Sequence, residues 1–196
     1  DETELILNSD GSIYHLQLKP HELAETIITV GDPERVSDVG KHFDSIQHRV
    51  QHREFIIHTG FLNNKRLTVL STGMGTDNID IAMNELDALV NIDFETRTVK
   101  DALTSLDIIR LGTSGSVSEE VEVDSILISE TAIGMDGLLH YYDYENSIQE
   151  TVYLEAFASY IKPHFSDVKP YIASAAESLL KKFETHYLKG TTLTAC

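Results

Sequence analysis

Cysteine is almost absent from this sequence of 196 residues, which contains only Cys196. A single cysteine excludes a disulfide framework within the chain and cysteine-rich zinc sites. Long apolar runs are absent too, and none approaches the roughly 18 residues that span a bilayer. The first ten residues are polar and acidic, unlike a secretory signal. These absences predict a cytoplasmic protein that does not bind membranes.

Basic residues are scarce, with 15 Lys and Arg against 32 Asp and Glu and a formal net charge of -17. A surface of that charge repels nucleic acid and anionic membranes, so neither is expected as a partner. A small anionic substrate remains compatible with it, because exposed charges are screened beyond about 8 Å at physiological salt. Such a substrate needs a local cluster of arginines.

Strand-like apolar runs alternate with helical patterns, which is typical of an α/β fold and here of one domain, residues 1–196. Strands are predicted over residues 27–30, 55–59, 67–70, 108–111 and 126–129. Helices are predicted from Pro33 onward and over residues 79–90, 147–160 and 171–187. Asp32 is predicted to cap the first helix, Asn63 and Asn64 to form a hairpin turn, and Gly190 to end the last helix.

The segment VGDPER, residues 30–35, leads a predicted strand through Gly31 into the start of a helix. Main-chain N–H groups at such a turn attract an anion, and a glycine allows its close approach. Arg35 lies one turn into the helix, where it can add a positive charge. The alternative is an ordinary strand–turn–helix with a surface arginine, which is the commoner case for so short a motif.

A second candidate is the segment RLGTSGS, residues 110–116, in which a strand ends in two glycines and three hydroxyls. The N–H and O–H donors of Thr113, Ser114 and Gly115 suit a phosphate or a sugar. Arg110 is unusual at the end of an apolar run, because a buried arginine without an anion is costly. The alternative is that an acidic side chain of the same protein pairs with Arg110.

Two further patterns carry less weight. The segment STGMGTDN, residues 71–78, follows a strand like the dinucleotide-binding G-x-G-x-x-G, but Asn78 replaces the third glycine. A tight turn that packs a helix on a strand is therefore the favoured interpretation. The histidines lack metal-ligand spacing, so no metal site is predicted, and His48, His52 and His58 are interpreted as solvated or edge-strand residues.

Taken in order, these segments resemble a known family. The similar segments are YHL at 14–16, GDPER at 31–35, HREF at 52–55, STGMG at 71–75 and RLGTSG at 110–115. Each is short, but their order along the chain resembles the uridine phosphorylase branch of the nucleoside phosphorylases. The resemblance extends from about residue 14 to residue 196. It implies a three-layer α/β/α fold around a mixed, partly closed sheet.

The resemblance also implies a site. Positions that bind inorganic phosphate in the family are matched by Gly31, Arg35, Arg110 and Thr113, beside Ser114 and Gly115. Arg53 matches an arginine that reaches the phosphate site of a neighbouring subunit, and His15 matches a histidine that crosses the same interface towards the ribose 5′-hydroxyl. The chain is therefore expected to form a homo-oligomer, at least a dimer, with a hexamer as the larger alternative.

The activity that the resemblance implies is phosphorolysis of a nucleoside to ribose 1-phosphate and free base. Phosphate is a co-substrate, and no cofactor is expected. Glu54 matches a monovalent cation position, although Asn78 stands where a serine is expected. Thr113 and the HREF segment favour uridine, with a purine nucleoside as the alternative.

Other interpretations stay open. In the family, the base-reading residues follow the position of Ala195, so a truncated sequence is expected; a degenerate, non-catalytic phosphate- or nucleoside-binding protein is the alternative. A nicotinamide-dependent oxidoreductase built on the Gly73 turn is a further class. The polar stretch 93–105 lengthens the chain between two motifs, and it is expected at a subunit contact or over the site.

Overall fold

The computed structural model describes residues 5–183 and 187–195. The chain divides into two compact units, Asp1–Ser114 and Gly115–Cys196, each described by itself below. The single domain over residues 1–196 stays a prediction. Within the described ranges, no helix combines the length and the apolar character needed to cross a membrane.

The first unit alternates strands and helices as predicted. Its elements are β1 (Thr26–Val30), α1 (Pro33–Gly40), β2 (Ser45–His52), β3 (Phe55–Leu62), β4 (Lys65–Ser71), α2 (Thr76–Asn91), β5 (Ile92–Asp93), β6 (Thr98–Val99) and β7 (Asp107–Leu111). Five strands form a sheet in the order β2-β3-β4-β1-β7. The central strand β1 runs parallel to both β4 and β7, whereas β2, β3 and β4 form an antiparallel meander. The sheet is therefore mixed, as predicted.

Helices cover both faces of this sheet. Successive strand residues point to opposite faces, and in β1 Ile27 packs with Leu86 of α2 while Val30 packs with Val36 of α1. The larger core, on the α2 face, also contains Leu16 from the segment before β1. The first unit therefore has the predicted three layers.

Two local predictions are confirmed at turns. The side chain of Asp32 accepts a 2.9 Å hydrogen bond from the main-chain N–H of Glu34 and so caps α1, with Pro33 as its first residue. Asn63 and Asn64 join β3 to β4 with φ angles of 50° and 64°. Asparagine tolerates this left-handed conformation, which a two-residue hairpin turn requires at both positions.

Strand β2 was not among the predicted strands. It forms one edge of the sheet, so the interpretation of His48 and His52 as edge-strand residues is confirmed. For His58 that interpretation is wrong, because its strand β3 lies between β2 and β4. The Nδ1 atom of His58 is buried and has no hydrogen-bond partner in the described part of the chain.

The polar stretch after α2 is held against that helix. Asn91, at the end of α2, donates to the carbonyl oxygen of Thr104 and accepts a 2.7 Å bond from its N–H. Lys100 donates to the carbonyl oxygen of Val90 at 2.8 Å. The stretch is thus an ordered excursion that includes the short β5–β6 pair.

The second unit contains β8 (Leu127–Gly134), α3 (Ile148–Ile161), β9 (Tyr171–Ser174), α4 (Glu177–Leu180) and β10 (Leu188–Thr194). Its three-stranded sheet has the order β10-β8-β9, in which β10 is parallel and β9 antiparallel to β8. The predicted strand at 126–129 and helix at 147–160 are confirmed by β8 and α3.

The helix predicted over residues 171–187 is wrong at its start. Residues Tyr171–Ser174 pair with β8 as β9, and α4 is only four residues long. The rest of that prediction falls partly on residues 184–186, which lie outside the described residues. Gly190 does not end a helix but lies within β10, opposite Ser129.

Glu150 joins three parts of the second unit. Its side chain is buried, with 6% of the residue exposed, and it accepts bonds from the N–H groups of Ser147 and Ser174, both at 2.8 Å, and from the hydroxyl of Tyr144 at 3.1 Å. The bonds from Ser147 and Ser174 hold the pKa of Glu150 at about 2, below its ordinary 4.5. The start of α3 is thereby tied to β9.

Candidate functional site

Several of the predicted site residues lie at or just after the carboxyl ends of two parallel strands, β1 and β7, beside the end of β4. Val30 at the end of β1 lies opposite Ser71 of β4 on one side and opposite Leu111 of β7 on the other. The N–H of Thr72 donates to the carbonyl oxygen of Val30 at 2.9 Å and continues the pairing one residue further. Gly31, Gly73 and Gly112 therefore meet at one edge of the sheet, where ligands bind in open α/β sheets.

The side chain of Arg110 lies across two of these glycines. A Cβ atom added to Gly31 would be 3.6 Å from Nη2 of Arg110, and one added to Gly112 would be 3.9 Å from Nε. The same Cβ on Gly31 would be 3.8 Å from the carbonyl oxygen of Gly73. The guanidinium group thus lies beside the main chain of both glycines, at distances where a methyl group on either would make ordinary van der Waals contact.

Arg110 is exposed rather than buried, contrary to what its position in an apolar run suggested. Within residues 5–183 and 187–195, no acidic side chain forms an ion pair with it and no oxygen accepts a hydrogen bond from it. Among these residues, Arg110 is therefore not paired with an acidic residue of its own chain, which was the alternative interpretation. Its five N–H donors are available to a ligand.

The start of α1 offers fewer main-chain N–H donors to an anion than predicted. The carboxylate of Asp32 occupies the N–H of Glu34, and the N–H of Arg35 donates to the carbonyl oxygen of Asp32. Because the protein's own groups use these two donors, an anion at this edge depends mainly on Gly31 and on the arginines.

Arg35 is half-buried in α1, and no described residue bonds to its guanidinium. Lys41, which donates a 2.9 Å bond to Asp38, lowers the pKa of that carboxyl, and the charge of Arg35 adds a smaller effect. Arg35 therefore lies near Asp38 as well as one turn from Gly31. Its approach to Arg110 stays a prediction.

Arg53 and Glu54 form the tight turn between β2 and β3. Arg53 is exposed, with φ at 54°, and makes no hydrogen bond or ion pair with the described residues. The hydroxyl of Ser71 donates to the carbonyl oxygen of Glu54 at 2.5 Å and fixes the turn against the end of β4. Arg53 is thus an exposed residue on a fixed turn. Its contact with the phosphate site of a neighbouring subunit stays a prediction.

Gly73 lies where Glu54 and Asn78 converge. Its φ is +66°, and an added Cβ would be 3.0 Å from Cβ of Glu54 and 3.1 Å from Nδ2 of Asn78. The amide of Asn78 also donates to the carbonyl oxygen of Met74 at 3.1 Å.

Among the described residues, no group of three or more acidic, histidine or cysteine side chains is placed to hold a metal ion. The monovalent cation at Glu54 stays a prediction.

Thr113 and Ser114 directly follow β7 and are exposed, and no described residue bonds to their hydroxyls. Gly115 begins the second unit. Roles for all three in binding phosphate or sugar stay predictions.

His15 lies in the segment before β1 and is tied to α2. Its Nδ1 is 2.8 Å from Oε1 of Glu85, and the ring of Tyr14 packs edge-on at 4.8 Å between ring centroids. Glu85 was not among the predicted site residues. It lies 70 residues from His15, so no local spacing could have revealed the contact.

One cavity of about 450 Å³ lies elsewhere in the first unit, lined by polar residues that include Asn8, Asp10, Gln17 and Arg49. None of the predicted site residues lines it.

Comparison with known proteins identifies the family and the fold. The model of the phosphorylase superfamily matches residues 25–196. The uridine phosphorylase of Thermococcus kodakarensis is 30% identical over 128 residues, which cover 65% of this chain and 41% of that protein. The uridine phosphorylase of Haemophilus influenzae is 30% identical over 134 residues, 67% of this chain and 48% of that protein. The chain thus spans about half the length of these relatives.

A solved structure is similar over nearly the whole chain. The Trypanosoma brucei nucleoside phosphorylase, a protein with uridine phosphorylase activity, aligns with a TM-score of 0.85 and 32% identity over 97% of this chain and 68% of that one. This similarity confirms the predicted phosphorylase-like α/β fold. The family match, the relatives and the fold agree, and the chain belongs to the phosphorylase superfamily.

Proposed function

We propose that the protein is a pentosyltransferase that cleaves a nucleoside, uridine in the first place, with inorganic phosphate. The observation that carries the proposal is the guanidinium of Arg110, which lies across Gly31 and Gly112 at the strand ends without a partner in the described residues. Arg110 is exposed at the strand ends, where ligands bind in open α/β sheets, and its charge in a chain of net charge -17 supports an anionic ligand there.

Phosphate would be bound by several guanidinium groups. Arg110 contacts it from β7, Arg35 from α1, and Arg53 of a neighbouring subunit from the β2–β3 turn. Charge-assisted hydrogen bonds of this kind contribute about 1.5–3 kcal/mol each. Gly31 gives the anion access to the main chain, and Thr113, Ser114 and Gly115 add hydroxyl and N–H donors.

These contacts fit a displacement at the anomeric carbon. An oxygen of the bound phosphate forms a bond to C1′ of the ribose while the C1′–N bond breaks. The bonding electrons leave with the base, which takes up a proton. Positive charge develops on the ribose during this step, and the fixed phosphate dianion stabilises it. Because phosphate is itself the nucleophile, no side chain has to activate a water molecule.

Uridine is the first candidate substrate because the similar proteins include several uridine phosphorylases. A purine nucleoside is the second candidate, favoured by 31% identity over 119 residues to a DeoD-type purine nucleoside phosphorylase of Alkaliphilus metalliredigens. Both candidates share the phosphate chemistry and differ in the base.

The remaining predictions concern the assembly. If Arg53 and His15 serve a neighbouring site, the active form is a homo-oligomer of at least two subunits. The exposed position of Arg53 on a fixed turn supports this arrangement. The proposal also includes a cytoplasmic location and a monovalent cation bound at Glu54.

The proposal is tested by base release in the full-length protein. Uridine and inosine are each incubated with and without phosphate, and uracil or hypoxanthine is measured. Arg110→Ala is expected to raise the KM for phosphate about 10- to 100-fold, the value of one charge-assisted contact. Arg49→Ala is the matched control, because Arg49 is also exposed but lies on β2, away from the strand ends.

Phosphate-dependent release of either base supports phosphorolysis, and the faster substrate identifies the base. Phosphate binding without release of base would indicate a non-catalytic binding protein instead. Equal phosphate kinetics in Arg110→Ala and Arg49→Ala would contradict the site at the strand ends.

A further inference from the structure

Among the described residues, the carboxylate of Glu85 bonds only to one short segment, residues 15–16. Oε1 accepts the N–H of His15 at 3.0 Å, and Oε2 accepts the N–H of His15 at 3.1 Å and that of Leu16 at 2.8 Å. Oε1 also lies 2.8 Å from Nδ1 of the His15 ring. Glu85 therefore binds both the main chain and the side chain of His15.

The contact with the ring determines which nitrogen carries the proton. A carboxylate oxygen only accepts hydrogen bonds, so Nδ1 of His15 must be the donor. In the neutral ring, the other nitrogen, Nε2, is then an acceptor. The side chain of His15 is 25% exposed and that of Glu85 is 13% exposed, so the ring keeps an open side while the carboxylate is covered.

Further contacts hold the main chain of His15 and pack against its ring. The carbonyl oxygen of His15 accepts a 2.9 Å bond from Nδ1 of His52, and Tyr14 packs edge-on against the imidazole. Ile13 and Leu16, on either side in the chain, are buried in the core together with Leu86, the residue after Glu85. The segment is thus fixed by the core, and the ring by Glu85.

We propose that Glu85 is a positioning residue for substrate binding: it holds His15 with its proton on Nδ1, so that Nε2 accepts the hydrogen bond of the ribose 5′-hydroxyl. The inference rests on the proposed function, in which His15 reaches the ribose. It assigns a direction to that contact, because the substrate hydroxyl donates and the protein accepts. It also predicts selectivity for nucleosides that carry a free 5′-hydroxyl.

The replacement Glu85→Gln separates this role from a structural one. The remaining oxygen of glutamine can still accept from the N–H groups of His15 and Leu16, which anchor the segment. Its amide NH₂ then faces Nδ1, which can bond to it only as an acceptor. The proton of the neutral ring moves to Nε2, and the ring can no longer accept from the 5′-hydroxyl. Asp87→Asn is the matched control, since Asp87 is an exposed carboxylate two residues further along α2 and the asparagine oxygen can still accept the bond that Asn91 donates to it.

The kinetic test compares uridine with 5′-deoxyuridine in the full-length protein. In Glu85→Gln the KM for uridine is expected to rise about tenfold, the value of roughly one hydrogen bond, with a smaller change in kcat. The constants for 5′-deoxyuridine should stay as in the unsubstituted protein and in Asp87→Asn. His15→Ala should give the same pattern, and the double variant should be no worse than either single one.

The second measurement does not depend on turnover. Nitrogen-15 NMR of the His15 ring should show the Nδ1-protonated neutral form in the unsubstituted protein and the Nε2-protonated form in Glu85→Gln, with the His15 signal assigned from its loss in His15→Ala. An Nε2-protonated ring in the unsubstituted protein would overturn the inference. So would equal losses for uridine and 5′-deoxyuridine, which indicate a purely structural role. No base release by the unsubstituted protein would overturn the proposed function itself, whatever the NMR result.

Discussion

Glu150 provides a direct test of how the second unit is held together. Its buried carboxylate accepts three hydrogen bonds, from the N–H groups of Ser147 and Ser174 and from the hydroxyl of Tyr144. Glu150→Gln keeps the size of the side chain but removes the charge and turns one acceptor into a donor that faces other donors. We expect it to destabilise this unit.

The magnitude follows from the pKa of Glu150, which falls from 4.5 to about 2, first through the bond from the main chain of Ser147 and then through that from Ser174. A fall of this size corresponds to about 3 kcal/mol for a fully shielded group. Allowing for screening by solvent, we expect about 2 kcal/mol at pH 7. Because the pKa is lowered in the folded state, this stabilisation is present above pH 4.5 and is lost as the pH falls towards 2.

The assay is urea unfolding followed by tyrosine fluorescence, since the sequence contains 8 tyrosines and no tryptophan. Glu150→Gln and the unsubstituted protein should differ by about 2 kcal/mol at pH 7, and their stabilities should converge as the pH falls towards 2. Glu155→Gln is the control, because Glu155 lies on the same helix but is exposed. Equal stability of Glu150→Gln and Glu155→Gln at pH 7 would refute the reasoning.

Two further predictions concern the first unit. Burial, followed by the charge of Arg49, lowers the pKa of His58 below 6.5, so stability should fall as the pH drops below about 6.5, where the unfolded chain takes up the proton more readily. His58→Leu should reduce that slope in urea unfolding, and an unchanged slope would exclude His58 as its source. Gly73→Ala should destabilise by more than the roughly 1 kcal/mol of a left-handed alanine, because its Cβ would also lie 3.0 Å from Cβ of Glu54. Gly11→Ala, in the same unit at φ +83° with no atom within 4 Å, shows the backbone effect alone. Equal unfolding midpoints for the two glycine variants would contradict the predicted contact with Glu54.

Local chemistry explains what the sequence could predict of the fold. The cap at Asp32 and the turn at Asn63 and Asn64 depend on neighbouring residues, and both are found where the pattern placed them. Strand β9 depends instead on pairing with β8, some forty residues earlier in the chain. A short apolar run such as Tyr171–Ser174 suits either a helix or a strand. Pairing with the distant strand β8 makes this segment a strand, and the sequence pattern does not reveal that pairing.

The site divides in the same way. The unusual position of Arg110 in an apolar run was visible in the sequence, and the structure places its guanidinium beside Gly31. The role of Glu85 was not visible, because α2 and the segment before β1 meet only in the folded unit. The sequence also predicted that Asp32 caps α1. It did not predict that this cap occupies the N–H of Glu34, which an anion would otherwise use.

The closeness of Gly31 to Arg110 constrains how related sequences can change. A methyl group at position 31 would just touch the guanidinium, at 3.6 Å, whereas any longer side chain would take the space that the arginine fills. A residue larger than alanine at position 31 should therefore be tolerated only together with a smaller residue at position 110, although the two positions are far apart in the chain. Homologues with a bulky residue at the first position should accordingly lack the arginine at the second.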